Sequence, residues 1–252
     1  MILEFRGIDH RYRSKESEIH ALSGIDLKVS EGEFLCIVGS SGCGKTSLLH
    51  MAAGLLQPES GEVLFRGKTI TGPGRDRAVV FQESTLMPWL NVEENILLAM
   101  DSSQKNDQKE AVANALETVG LRGFDHAMPH ELSGGMKQKV SIARSLVMNS
   151  PILLMDEPFS SLDEQTRARL NREMITIWEK SQKTVIFITH SIREALTLGS
   201  RVVLLSVRPG KVIGDWDLSR EKPSVDSIPF NTLAQKIRGS MGLCCPPKEH
   251  TT

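Results

Sequence analysis

A chain of 252 residues with 40% apolar side chains can bury one large core and a small appended subdomain. Its 30 basic and 31 acidic residues leave a formal net charge of −1, which excludes a bulk electrostatic pull toward nucleic acid or anionic lipid. The four cysteines, Cys36, Cys43, Cys244 and Cys245, follow no zinc-like spacing and suit a reducing cytosol. Met1 to Arg6 carries charge where a signal peptide would be apolar, and no segment approaches about eighteen apolar residues, so the chain is expected not to span a membrane.

In chain order, Leu3, Phe5 and Ile8, then Ile25, Leu27 and Val29, then Val63 and Phe65 form short alternating runs broken by Gly24, Gly32, Gly61 and Gly67. They predict an antiparallel sheet. Between them the apolar run Phe34 to Val38 leads into Gly39-Ser40-Ser41-Gly42-Cys43-Gly44-Lys45-Thr46 and a helix start at Ser47. Strand, glycine loop and helix in that order are the context of a phosphate-binding P-loop. Glycines let successive backbone N–H groups point into one concavity, and the helix N-terminus adds positive potential. Lys45 can reach the β- and γ-phosphates as a mobile charge, and the Thr46 hydroxyl is placed to ligate Mg²⁺. Polyphosphate is the expected ligand.

From about Glu83 to Asn149 the pattern is helical: Ala111, Val112, Ala115, Leu116 and Val119 share a face, and Gly120 follows as a C-terminal cap. This predicts a helical insertion. Within it, Leu132-Ser133-Gly134-Gly135-Met136 places a hydroxyl and two glycines immediately before a helix with Val140, Ala143, Leu146 and Val147 on its apolar face, a second anion-binding helix start. Ile152 to Met155, Val185 to Ile188 and Val202 to Leu205 are continuous apolar runs, as expected of central strands in a parallel α/β sheet. Asp156-Glu157 ends the first of these runs and so brings two carboxylates to the sheet edge where ligands bind. Asp156 would hold the Mg²⁺ shell, and Glu157 would polarise the water that attacks the γ-phosphate. Leu170, Met174, Ile177 and Trp178 mark one face of the next helix, and Ser191-Ile192-Arg193-Glu194 reads as a capping box.

A P-loop alone leaves the NTPase class open, but a second phosphate site on the insertion calls for a paired arrangement. On these motifs the chain resembles the nucleotide-binding subunit of ABC transporters, in which the signature loop of one protomer closes over ATP held by the P-loop of the other. The resemblance runs from about Ile2 to Arg238. It implies a P-loop NTPase core with a parallel central sheet, an antiparallel β subdomain and an inserted α-helical subdomain, all in one domain of residues 1–238, followed by a C-terminal tail of residues 239–252 that need not be ordered. It also implies ATP, Mg²⁺ and a second cassette as partners. By the same resemblance, Tyr12 matches the aromatic that stacks on adenine, and Gln82 the loop glutamine that senses Mg²⁺ and the attacking water. Leu132 to Met136 match the signature loop, Ser161-Leu162-Asp163 the loop that crosses the dimer interface, and His190 the histidine that contacts the γ-phosphate. Four positions depart from the common pattern: Met136 stands where many members have Gln, Lys137 and Lys139 where Arg is common, and Ser191 where Asp often follows the histidine. None removes a ligand type, although Lys for Arg loses bidentate geometry wherever those positions pair with carboxylates.

Three phrases are similar to the nitrate, sulfonate and taurine importers of the family: Phe81-Gln82-Glu83 followed by Met87 to Asn95, Leu132 to Gln138, and Leu205 to Gly210. They imply an importer of a small anion, with transmembrane permease subunits, a solute-binding protein acting through them, and a place on the cytoplasmic face of the membrane. Met87, Pro88, Trp89 and Leu90 either pack the insertion or form a docking groove for a helix of the permease. A soluble ABC ATPase acting on nucleic acid or ribosomes is the alternative. Such proteins usually carry a coiled-coil insertion, a second cassette or a basic face, and this near-neutral single cassette has none of them.

Overall fold

A computed structural model of the chain describes residues 1–14, 17–100, 108–219 and 222–243. They divide into two compact units, residues 1–72 with 187–252, and residues 73–186. The first unit opens with β1 (Leu3–Arg13), β2 (Glu18–Val29), β3 (Phe34–Val38), α1 (Lys45–Ala53), β4 (Ser60–Phe65) and β5 (Lys68–Thr69). The second holds β6 (Arg77–Val80), α2 (Val92–Leu97), α3 (Gln108–Thr118), a 3₁₀ turn (Pro129–Glu131), α4 (Gly134–Val147), β7 (Ile152–Asp156) and α5 (Glu164–Ser181). β8 (Thr184–Thr189) runs from the second unit into the first, which closes with α6 (Ile192–Leu198), β9 (Arg201–Leu205), β10 (Val212–Asp217) and α7 (Ile228–Leu243).

The alternating runs at the start of the chain form an antiparallel sheet of order β2-β1-β4-β5. Leu3 faces Val29, Phe5 faces Leu27 and Ile8 faces Ile25, all buried, so one face of β1 carries the core of this sheet. The unbroken apolar strands behave differently. All five residues of β3 are buried, and the strand pairs in parallel with β9 from Leu35 opposite Arg201 to Val38 opposite Leu204. In the second unit β6 pairs in parallel with β7, Arg77 opposite Ile152 through Val80 opposite Met155. The order is β10-β9-β3-β8 within the first unit and β8-β7-β6 within the second. β10 is antiparallel to β9, an edge strand that its half-buried alternation did not announce.

In the helical segment, Val112, Ala115 and Leu116 of α3 are buried. Gly120, at φ 68°, ends the helix by letting the Leu121 N–H reach the Leu116 carbonyl at 2.8 Å. Residues 83–91, where the helical window begins, lie outside any helix; the first helix starts at Val92 behind an Asn91 cap. On α5 the expected face is buried at Leu170, Met174 and Ile177 and half-buried at Trp178. At the far end, α7 continues without a break past Arg238 to Leu243, so the segment assigned to the tail begins as helix. Residues 244–252, with Cys244 and Cys245, lie outside the described residues. No described helix is long and apolar enough to cross a membrane.

Candidate functional site

The phosphate loop is built as its glycines require. Gly42 and Gly44 hold φ of 76° and 101°, left-handed values that side chains with a Cβ rarely adopt. Gly44 is also the N-cap of α1, and a Cβ there would lie 2.6 Å from Leu22 Cδ2 and 3.0 Å from the Ala21 carbonyl. The first turn of α1 contains no acidic side chain, which leaves the positive end of the helix to an anion. Lys45 is buried, and its Nζ donates to the carbonyls of Gly39 and Ser40 at 3.0 Å each, so the ammonium is held at the loop rather than extended into water. Thr46 is exposed beside it, and Gly39 and Cys43 are buried. Cys43 Sγ lies 4.0 Å from Lys45 Nζ. Burial pushes the Cys36 thiol well up, helped by the Glu194 carboxylate, which keeps it protonated and chemically quiet.

Two further elements of the first unit close on this loop. Tyr12, 44% exposed at the end of β1, shares a 2.8 Å hydrogen bond between its hydroxyl and Ser47 Oγ of α1. The segment from Leu205 to Gly210 also packs against the loop. Gly210 donates its N–H to the Ala21 carbonyl at 2.8 Å, a Cβ on it would collide with the Cys43 carbonyl, and one on Gly42 would lie 3.0 Å from Arg208 Nη2. This phrase, which the sequence offers only as a family resemblance, is therefore a buttress of the phosphate loop. His190 is exposed and lines, with Ser40, Arg193, Arg238 and Met241, a cavity of about 550 Å³. Arg238 and Met241 bring α7 to the phosphate loop, a role that nothing in the tail sequence signalled.

The expected capping box after His190 is only half formed. Ser191 caps α6 by accepting the Glu194 N–H at 3.3 Å, but the Glu194 carboxylate does not return to the Ser191 backbone. Thr189 takes both places: its Oγ1 donates to Glu194 Oε2 and accepts the Ser191 N–H at 3.0 Å. Buried Glu194 thus braces the turn that carries His190.

In the second unit Asp156 is buried at the end of β7, and Glu157, half-buried, sits at φ 42°. A left-handed glutamate costs free energy that the surroundings must offset, and such strain concentrates at functional positions. The Glu157 carbonyl accepts from the Ser160 N–H at 3.1 Å and its hydroxyl at 3.0 Å. The following loop is then gripped by Arg167, whose guanidinium donates to the carbonyls of Phe159 and Ser160 at 3.0 Å and of Leu162 at 2.8 Å. Ser161 and Asp163 face solvent, Leu162 is half-buried, and Asp163 caps α5 through the Thr166 N–H at 2.9 Å. That bond holds the Asp163 carboxyl below its usual range.

Ser133 is the exposed N-cap of α4 and accepts the Met136 N–H at 3.3 Å. Gly134 and Gly135 belong to the first turn of the helix instead of preceding it. Their missing side chains serve packing: a Cβ on Gly134 would lie 3.2 Å from Leu162 Cδ2, and one on Gly135 3.1 Å from Thr166 Cγ2. Leu132 is buried beneath this turn and Met136 half-buried. The same helix also holds the Gln82 loop. Gln138 Nε2 donates to the Phe81 carbonyl at 3.1 Å, Ser141 Oγ to the Ser84 carbonyl at 2.6 Å, and Arg144 to the Thr85 carbonyl and hydroxyl at 3.1 and 2.8 Å. Gln82 itself stands exposed. Lys139 pairs with Glu173 at 2.7 Å, the point-charge contact expected of lysine where arginine would make two.

Beyond Gln82, fully buried Asn95 ties down the Met87 to Leu90 turn. It accepts the Met87 N–H at 2.8 Å and donates to the carbonyls of Met87, Leu90 and Asn91 at 3.1, 2.9 and 3.0 Å. Trp89 is 70% exposed on this turn beside exposed Pro88 and half-buried Met87 and Leu90, so the indole does not pack the interior of the unit.

The family profile described as ABC transporter matches residues 22–160. The nitrate import ATP-binding protein NrtD of Synechocystis is 41% identical over 233 residues, 92% of this chain and 87% of that protein. The taurine import ATP-binding protein TauB of Rhizobium johnstonii is 44% identical over 202 residues, 79% and 77% of the two chains. Among solved structures, a dimeric bacterial ABC transporter cassette matches with a TM-score of 0.74 at 30% identity over 86% of this chain and 99% of its own. The same cassette in a dimeric post-hydrolysis state bound to ADP and Pi matches with a TM-score of 0.73 at 29% identity over the same shares. With a profile over more than half its length and these relatives over most of it, the chain belongs to the ABC transporter family.

Proposed function

We propose that this chain is the ATP-hydrolysing subunit of an importer of small anions of the nitrate, sulfonate or taurine type, working as a pair of cassettes. The observation that carries the chemistry is Lys45, buried at the mouth of α1 with its Nζ on the Gly39 and Ser40 carbonyls, in a loop whose glycines leave the backbone N–H groups to a polyphosphate. Gly39 to Ser47 bind the ATP phosphates, and Tyr12 stacks on adenine. Thr46, Gln82 and Asp156 all offer oxygen, the donor type that Mg²⁺ takes. These residues would hold Mg²⁺, which would supply neutralisation of the phosphate charge. Glu157 accepts a proton from the attacking water, and His190 contacts the γ-phosphate.

Ser133 to Met136 of a second copy complete the site, and Ser161 to Asp163 lie along the shared interface. The dimeric cassettes among the structural matches support this pairing. Exposed Trp89, on a turn pinned by Asn95, supports the docking of a permease helix at Met87 to Leu90, through which the subunit sits peripherally on the cytoplasmic face of the membrane. One domain of residues 1–238, with the insertion at about 83–149, carries all of these parts.

The anion class rests on the nitrate and taurine importers among the relatives. The test is the ATPase rate of the subunit assembled with its permease and solute-binding protein in vesicles. Nitrate, taurine or an alkanesulfonate should raise it, because a loaded binding protein stabilises the closed, hydrolysing state. Stimulation by a sugar or an amino acid and by none of these anions would overturn the anion class.

A further inference from the structure

We infer that His10 is a positioning residue for the nucleotide: packed against Tyr12, it sets the plane of the ring on which adenine stacks. The inference rests on the reading of Tyr12 as the adenine platform. His10 is only 8% exposed, and its Nδ1 and Nε2 are both buried with no hydrogen-bond partner among the described residues. Buried polar groups almost always find partners, so an orphaned imidazole points to a constraint other than stability. Its ring contact is Tyr12, with centroids 4.7 Å apart and planes at 88°, the edge-to-face geometry that aromatic quadrupoles favour.

The contact lies within one continuous strand. His10 and Tyr12 are two residues apart on β1 and share one face of it. The pairing of β1 with β2 slips on each side of His10, from Ile8 opposite Ile25 to His10 opposite Leu22 to Arg11 opposite His20. The extra residues of these slips lie in β2, opposite His10, and such irregularities recur beside active sites.

The need for a second contact follows from the geometry of the phenol. Its Cβ is fixed by the strand and its hydroxyl by Ser47 Oγ, which leaves rotation about the axis joining those two points. That rotation is χ2, a broad torsion, and it alone decides which way the ring face points. The edge-to-face contact with His10 removes it. Tyr12 stays 44% exposed, so a plane fixed in advance meets adenine without the cost of freezing the rotor.

The chain has a single tyrosine, so ring-¹³C tyrosine labelling reports on Tyr12 alone. In the full-length protein, ATP should shift that signal. A wild-type signal that ATP leaves unmoved overturns the platform reading and this inference with it. His10→Ala should move the ring signal of the nucleotide-free protein and raise the KM for ATP about three- to tenfold, with kcat within about twofold. His10→Phe, which keeps an aromatic edge, should return KM to near the wild-type value. If His10→Ala fails to fold, His10→Leu replaces it, filling the space without an aromatic edge. An ATP-responsive Tyr12 together with an unchanged KM in the alanine or leucine variant, or with equal KM increases in the aliphatic and phenylalanine variants, overturns the role of His10 and leaves the platform reading standing.

Discussion

Arg167→Ala should separate ATP hydrolysis from ATP binding, because this side chain holds the loop between Glu157 and α5, whereas the phosphate loop is built by the other unit. Its guanidinium donates to three backbone carbonyls at 2.8 to 3.0 Å. Hydrogen bonds from a charged donor are worth roughly 1.5–3 kcal/mol each when nothing replaces them. Arg167 is half-buried, so water re-solvates the released carbonyls, and a net loss of about 2 kcal/mol for the set is the reasonable figure. At about 1.4 kcal/mol per tenfold, the ordered loop loses roughly a factor of 30 against its alternatives. Steady-state ATPase measurements should show kcat falling by up to that factor, with the KM for ATP within about threefold. Amide exchange should quicken over residues 157–163. Arg167→Lys, a point charge without the fork, should lie between the two. A kcat within twofold of wild type with unchanged exchange in that loop would refute the reasoning.

Glu157→Gln keeps the shape and removes the base, so turnover should drop roughly 10²- to 10⁴-fold while ATP binding survives. Size-exclusion chromatography should then show an ATP-dependent shift toward the dimer, and a variant that hydrolyses ATP at the wild-type rate would remove Glu157 from the chemistry. In mixed dimers, Lys45→Ala on one chain with Ser133→Arg on the other spares one composite site, whereas both changes on one chain damage both sites. Equal ATPase rates from the two designs would show that Ser133 does not act across the interface. Trp89→Ala should leave the basal ATPase within a few-fold of wild type and weaken assembly with the permease by about 2 kcal/mol, as for a buried aromatic anchor. Undiminished co-purification with the permease would remove Trp89 from the docking surface.

What the sequence determined by itself is what neighbouring residues encode. A strand, a glycine loop and a helix start need only a continuous stretch, so Phe34 to Ser47 were legible as a phosphate loop, and the left-handed Gly42 and Gly44 follow from backbone sterics. Short alternating runs announced an antiparallel sheet around Leu3 and Phe5, and unbroken apolar runs announced the buried strands. Tertiary structure decided the partners that periodicity cannot name. Gln138, Ser141 and Arg144 reach the Gln82 loop from 57 to 59 residues away, and only the packing of α4 brings them there. The capping box expected at Ser191 is only half formed for a related reason, since Thr189, held in place by β8, competes for Glu194 and wins it. Gly134 and Gly135 look in sequence like loop glycines, but they open a helix, and Leu162 and Thr166 of the neighbouring segment would crowd a Cβ at either position. His10 and Tyr12 are two letters apart, and yet it is the folded chain that buries the imidazole away from any hydrogen-bond partner among the described residues and leaves it against the phenol. Local steric preferences act over a few residues and can be read in one dimension, whereas each of these contacts exists because the folded core brings its two sides together.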